Sequence, residues 1–381
     1  MSLNFQTVPL VESGLGKISI LSDVCNQLNI KKPLIITDQG LFKLGFVEEI
    51  EKNLSIKNIS PCVYNRVKAD PPESNIFEAV NLFQNHKADG VIGFGGGSSM
   101  DVAKAVSYFS INNVNIKECY GVNNLKNNRC PLIQIPTTAG TGSEVTPIAI
   151  FTLANEQKMG IVDPLLYADC AILDAELTIG LPKNITAYSG IDAMVHAIEA
   201  YTTKIKKNPI SDALARKALA LLGANIKEAV NNPENKKARE SMLLGSMLAG
   251  MAFANAPCAA VHALAYPIGA KFHVPHGLSN SLVLPEVLKF NSKKVSNLYC
   301  EIASDCLPDL EGKKNDIDNF IAGIEQLIID LKIPRKLKDV GINQKDIQIL
   351  AADALKQQRL LINNPREVNL EDVISIYEAS Y

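Results

Sequence analysis

"GVIGFGGGSSMD", residues 90–101, is the stretch whose reading decides the fold. A short apolar run, 89–94, enters three glycines at 95–97, and helical periodicity begins at Met100 in "MDVAKAVSYF" (100–109). Strand, glycine turn and helix in that order let backbone N–H groups approach a phosphate, while the helix N-terminus adds partial positive charge. As a dinucleotide fingerprint the match is imperfect. Gly93-x-Gly95-x-x puts Ser98 where the third glycine belongs, and the acid expected about 20 residues later is missing. Taken alone, the glycines fit a simple tight turn equally well.

Working outward, the same alternation recurs. "PLIIT" (33–37), "CVYNRV" (62–67), "PLIQIP" (131–136) and "CAILD" (170–174) have strand character, and "FVEEIEKNL" (46–54) and "ESNIFEAVNLFQNH" (73–86) have helical periodicity. This spacing predicts a parallel, doubly wound sheet. Asp38 closes the first clear strand, where a carboxylate can accept both hydroxyls of an adenosine ribose and repel a 2′-phosphate. It suits equally the N-cap of a helix in "QGLFKLG". "IPTTAGTGSEVT" (135–146) packs hydroxyls and free amides after a buried strand, as a second wall of a polar cofactor pocket would.

Beyond "GLPKNITAYSG" (180–190) the β-rich runs stop and nearly every segment is helical. The expected fold class is therefore α/β plus all-α. Residues 1–182 form a dinucleotide-binding α/β domain with a parallel sheet, residues 183–381 a helical domain, and the cleft between them is the default ligand site. "MLLGSMLAGMAFANAPCAAVHALAYPIG" (242–269) resembles a membrane span in composition, but Asn255, Pro257 and His262 interrupt it before about 18–20 apolar residues accumulate. It suits a central buried helix or helix pair.

The bulk numbers exclude little and describe an ordinary soluble globular protein. The chain has 381 residues, 47% of them hydrophobic, and a formal net charge of -2, which gives no reason to expect nucleic acid or anionic lipid as partner. Eight cysteines lie scattered without a CxxC pair, consistent with a reducing cytoplasm. "MSLNFQTVPLVESG" lacks the basic and apolar regions of a secretory signal, so none is expected.

The polar residues of the helical half need an explanation. "GIDAMVH" (190–196) puts Asp192 and His196 four apart on one face of an otherwise apolar helix. Taken alone, a hydrogen-bonded core pair accounts for that better than a metal does. Of only five histidines, however, His262 lies in the apolar "AAVHALAYP" and His276 in "FHVPHGLSN". One carboxylate with three imidazoles is a borderline-hard donor set suited to Fe²⁺, Zn²⁺ or Mn²⁺. With all three histidines the metal reading overtakes the core-pair reading.

"GGGSSMD", "IPTTAGTGSEVT", "GIDAMVHAIEAY", "MAFANAPCAAVHALAYPIG" and "VPHGLSN", in this order, resemble the iron-dependent (group III) alcohol dehydrogenases, from about residue 5 to the "NPREVNLEDVISIYEAS" tail. The resemblance implies a dehydroquinate synthase-like fold whose metal and nicotinamide meet in the cleft. It implies Asp192, His196, His262 and His276 as metal ligands, and Gly95, Gly96, Gly97 and Ser98 as the pyrophosphate turn. Thr137, Thr138, Thr141, Thr146 and Lys158 match further cofactor contacts, Asp38 the acid of NAD-preferring members, and Phe253 a wall of the substrate pocket. The implied cofactors are NAD and Fe²⁺, with Zn²⁺ the alternative because it would displace iron if both were free.

One position departs from the commoner pattern. Many members carry a further histidine four residues after the one matching His262, where this chain has Tyr266, as relatives resembling hydroxyacid–oxoacid transhydrogenases do. A phenol with a pKa near 10 passes on a proton poorly at neutral pH. Tyr266 and His276 are the expected catalytic residues. The expected activity is a cytoplasmic, homodimeric, NAD-dependent alcohol dehydrogenase or aldehyde reductase for a small alcohol or aldehyde, with neither nucleic acid nor membrane as partner. The alternatives are a hydroxyacid–oxoacid transhydrogenase-like enzyme, a dehydroquinate synthase-like lyase, and a non-catalytic metal- or nucleotide-binding protein.

Overall fold

Six strands hydrogen-bond into one fully parallel sheet, and their order explains where a ligand belongs. In the computed structural model, which describes residues 3–154, 157–310, 312 and 316–381, the strands are β1 (Val11–Ser13), β2 (Pro33–Asp38), β3 (Cys62–Val67), β4 (Gly90–Gly95), β5 (Gly121–Val122), β6 (Leu132–Pro136), β7 (Ile148–Thr152), β8 (Lys158–Val162) and β9 (Cys170–Leu173). The large sheet runs β1-β9-β6-β4-β2-β3, with β2 paired to both β3 and β4. The chain therefore steps outward from β2 to β3 and then returns to the other side of β2. That reversal between β2 and β4 is a topological switch point, where the carboxyl ends of the strands open a crevice. Asp38 ends β2 and Gly95 ends β4, so the acid and the glycine turn lie at the switch.

Helices connect these strands: α1 (Leu21–Gln27), α2 (Gln39–Lys43), α3 (Phe46–Ile56), α4 (Glu73–His86), α5 (Gly97–Phe109) and α6 (Ile116–Cys119). Leu34, Ile35, Ile36, Val91, Ile92, Leu132 and Ile133 are all wholly buried, as strands covered on both faces require. β7 and β8 form an antiparallel hairpin, with β5 added parallel to β8 as a second small sheet. The sequence pattern gave no element there, because β7 alternates buried and half-buried positions over only five residues.

The chain forms two compact units. One is Gln6–Thr138 with Ser143–Thr178; the other is Ile179–Tyr381 with Ala139–Gly142 and the described N-terminal residues up to Phe5. The second is helical: α7 (Lys183–Thr202), α8 (Pro209–Asn231), α9 (Lys236–Asn255), α10 (Ala260–Phe272), α11 (His276–Cys306), α12 (Ile317–Asp330), α13 (Ile347–Ala354), α14 (Gln358–Leu361) and α15 (Leu370–Ala379). The membrane-like stretch is α9 and α10, bent by 107° at their junction; among the described residues no single helix is long and apolar enough to cross a membrane. Helix α7 is buried on all sides from Gly190 to Thr202. A Cβ on Gly190 would come within 2.7 Å of Ile226 Cδ1 and 2.8 Å of Met242 Cε, so the side chains of α8 and α9 fill the space that glycine leaves on α7.

Candidate active site

Three acceptor atoms converge inside the helical unit. His276 Nε2 lies 3.5 Å and His262 Nε2 lies 3.8 Å from Asp192 Oδ1. The approach depends on Gly277, the first residue after His276. A Cβ there would fall 2.1 Å from the Tyr188 carbonyl oxygen and 3.2 Å from the Asp192 Cβ. Without a side chain at Gly277, the start of α11 can press against α7 and bring His276 to Asp192.

His262 is aimed from behind. Its Nδ1 donates to Glu199 Oε2 at 2.6 Å, and the same carboxylate accepts from Ala259 N at 3.0 Å and Val261 N at 2.7 Å. An ionised carboxylate only accepts, so Nδ1 carries a proton, and Nε2 is the ring nitrogen left facing Asp192. A carboxylate behind a ligating imidazole is the arrangement that fixes tautomer and orientation at metal sites. Asn280 supplies a second clue. Its Nδ2 lies 2.5 Å from Asp192 Oδ1 and 3.4 Å from both His262 Nε2 and His276 Nε2, while its own Oδ1, although buried, has no hydrogen-bond partner. Three atoms of ligand type thus gather around one amide nitrogen. Ligands about 2.0–2.2 Å from a divalent ion stand about 3–3.5 Å apart, so these residues fit the metal implied by the sequence with little adjustment.

His196 is stacked at a ring distance of 4.5 Å on His262 and 4.3 Å on Phe253. Its Nδ1 lies 3.2 Å from the Gly140 carbonyl. Burial, together with the neighbouring imidazoles, pushes its pKa down to about 3, against the opposing pull of Asp192. The ring is therefore neutral, as a ligand must be. Burial alone would raise the Asp192 pKa, but the three imidazoles and Asn280 outweigh it and hold the carboxyl below its usual value. By proximity the four residues form two overlapping groups: Asp192, His262 and His276 in one, His196 and His262 with Cys258 in the other. Tyr266 lies beside the first group, its ring 5.8 Å from that of His276.

In the α/β unit the glycine turn is built as a phosphate site would be. Gly95 has φ +148, and a Cβ on it would meet Ser99 at 2.8 Å, so only glycine fits. No side chain caps α5, which leaves its first N–H groups for a ligand. Thr137 N donates to Gly95 O at 3.0 Å, which ties the threonine loop to the turn. Asp38 caps α2, its Oδ1 accepting from Gly40 N at 2.7 Å and Leu41 N at 3.0 Å. Thr146 faces inward, its hydroxyl 3.2 Å from Lys104 Nζ. Thr138 belongs to this unit, whereas Thr141 lies in the 139–142 segment of the helical one. Lys158 is buried and pairs with Asp70 at 2.7 Å.

Several of these partners are missing from the sequence-based set, although helical spacing points to some of them. Glu199 is seven residues after Asp192 on the same apolar helix, Asn280 four after His276, and Cys258 four before His262. Asp70 carries no such signal, being 88 residues from Lys158.

With this geometry in hand, comparison with known proteins identifies the class. The family profile described as iron-containing alcohol dehydrogenase matches residues 9–175, and that of the Fe-containing alcohol dehydrogenase family, C-terminal, matches residues 186–381. The chain is 37% identical over 382 residues to long-chain-alcohol dehydrogenase 1 of Geobacillus thermodenitrificans, covering 98% of this chain and 95% of that one. A solved 1,3-propanediol oxidoreductase superposes with a TM-score of 0.96 at 32% identity over 100% of both chains. Sulfoacetaldehyde reductase from Bifidobacterium kashiwanohense, solved in complex with NAD⁺, does so with a TM-score of 0.90 at 26% identity, covering 100% of this chain and 98% of that one. The chain belongs to the iron-containing alcohol dehydrogenase family and is an oxidoreductase.

Proposed function

We propose that the protein is an iron- and NAD-dependent alcohol dehydrogenase, equally an aldehyde reductase, that moves a hydride between nicotinamide C4 and the carbinol carbon of a small alcohol. The convergence of Asp192 Oδ1, His262 Nε2 and His276 Nε2, with Glu199 behind His262, carries this reading. In this proposal Asp192, His196, His262 and His276 hold the metal, and the Gly95–Ser98 turn, the threonines of 137–146 and Lys158 hold the cofactor. Iron supplies Lewis acidity at the substrate oxygen, and NAD supplies or takes the hydride.

The chain's own residues do the rest. Burial of Asp192, His196 and His262 keeps bulk water from them, and Glu199 keeps the His262 Nε2 aimed at Asp192. The uncapped N-terminus of α5 binds the pyrophosphate through its N–H groups. Asp38 repels a 2′-phosphate, which favours NAD over NADP. Phe253, stacked on His196, is an apolar wall for the substrate carbon chain. Tyr266, beside His276, relays the substrate hydroxyl proton only weakly through its phenol oxygen, leaving water or the cofactor ribose to finish the path, with His276 part of the same catalytic group. We place the enzyme in the cytoplasm as a homodimer whose partner is its small alcohol or aldehyde, and neither nucleic acid nor membrane. The free, unpaired cysteines and the small net charge support that placement.

The test is NADH oxidation by the iron-loaded full chain across small aldehydes, diols, hydroxyacids and oxoacids. Turnover with at least one aldehyde is expected, with NADPH poorer. Absence of turnover on every member, with metal and NADH both bound, would overturn the reading.

A further inference from the structure

Cys258 sits in the break between α9 and α10, four residues before His262, and its neighbours suit a metal as much as a core thiol. Its Sγ and one ring nitrogen each from His196 and His262 all lie within 4.8 Å of one another, and all three residues are buried. The backbone there is pinned. Asn363 Nδ2 donates to Cys258 O at 2.9 Å, and Glu199 accepts from Ala259 N and Val261 N just beyond. These bonds fix the main chain that carries the thiol.

We propose that His196, Cys258 and His262 form a second, sulfur-containing divalent-metal set that favours zinc over iron. It shares its imidazoles with the iron tetrad proposed above, and to that extent rests on that reading. Zinc binds sulfur at about 2.3 Å and imidazole nitrogen at about 2.0–2.1 Å, which puts tetrahedral donors about 3.4–3.6 Å apart. From separations within 4.8 Å, the present cluster needs to close by up to about 1.4 Å. The two sets differ in character. Asp192, His262 and His276 offer oxygen and nitrogen, which suit iron(II); replacing carboxylate by thiolate softens the site and turns it toward zinc. Binding releases the thiol proton to water, because the ligand is the thiolate.

His262 belongs to both sets, so one ion at a time is held. Zinc on the sulfur side would occupy His196 and His262 and leave Asp192 and His276 without their partners. The centre would then sort metals by position, with zinc displaced from the carboxylate side and antagonistic to iron.

Cobalt(II) is the probe, because a thiolate ligand gives a sulfur-to-cobalt charge-transfer band in the near ultraviolet. The full chain, stripped of metal with a chelator, is titrated with Co²⁺. The wild type is expected to develop the band. Cys258→Ser and Cys258→Ala should bind cobalt without it, and His276→Ala should keep it, since His276 is outside the sulfur set. Zinc affinity should fall by about tenfold or more in Cys258→Ser, with a smaller change in iron(II) affinity. Cobalt binding to the wild type without the band overturns this proposal alone, as does a band that survives Cys258→Ser or is lost in His276→Ala. No cobalt binding by the wild type overturns the tetrad reading as well. The Cys258→Ala variant guards against a serine-specific folding defect, and a band persisting in it has the same overturning force.

Discussion

Glu199 accepts from His262 Nδ1, Ala259 N and Val261 N at once, so its charge and both its oxygens are committed. Glu199→Gln turns one terminus into an NH₂ facing an N–H group. We expect metal affinity to fall about 10–100-fold with the far-ultraviolet circular dichroism unchanged, and undiminished metal content would contradict the role given to this carboxylate. Tyr266 stands by His276 without the basicity of an imidazole. Tyr266→Phe keeps the ring contact and removes only the hydroxyl, so kcat should fall by roughly tenfold or less, below the usual return of general acid–base help. Complete loss of turnover would make the phenol an essential acid instead. Asp38 both ends β2 and caps α2. Replacement by glycine costs a cap only about a few tenths of a kcal/mol, so Asp38→Gly isolates the charge effect. The kcat/KM ratio for NADPH over NADH should rise, and an unchanged ratio would remove Asp38 from cofactor choice.

At the level of elements, α5 carries more than its glycine start. Lys104, wholly buried on α5, donates from Nζ to Ser143 Oγ at 2.7 Å, Thr146 Oγ1 at 3.2 Å and Ile148 O at 2.7 Å. Asp101, one turn earlier, accepts from Ser143 Oγ at 2.6 Å and Ile150 N at 2.9 Å. These bonds clamp the helix behind the glycine turn to the loop that follows the threonines. Glu144 lies in the same buried cluster, its Oε1 without a partner, and burial pushes its pKa from 4.5 up to about 7 despite the attraction of Lys104. The folded chain therefore holds that proton more tightly than the unfolded chain does. Its contribution to stability is complete below pH 4.5 and is lost as pH rises through about 7. Glu144→Gln should flatten this part of the profile. Chemical denaturation of both forms across the range would show it, and parallel profiles would refute the assignment.

For the molecule as a whole, metal and fold are linked through the helical unit. Asp192 and His196 lie on α7, His262 on α10 and His276 on α11, so an ion held by them joins three helices that meet only through tertiary packing. Anything that binds the folded chain alone stabilises it, by about 2.7 kcal/mol at a hundred times Kd. Chelation should lower the Tm of the wild type, and His262→Ala should be metal-poor and insensitive to chelator. An equal shift in both proteins would detach the stabilising ion from this site.

Local sequence pattern determined the element types, the glycine turn and the identity of the candidate ligands. Short-range physics reaches that far: the apolar runs of β2, β4, β6 and β9 mark buried strands, a glycine turn before a helix suits an anion, and four-residue spacing puts Asp192 and His196 on one face. The β7–β8 hairpin escaped because its alternation is short and half-buried. Only the tertiary structure decided how the side chains group. Asn280 reaches Asp192 across 88 residues and Glu199 reaches His262 across 63, and the tetrad resolves into two groups joined at His262, one of them containing Cys258. Helical spacing gives the face on which a side chain stands, but which faces meet is fixed by close packing at residues such as Gly277, where a single methyl group would meet the Tyr188 backbone and hold the helices apart.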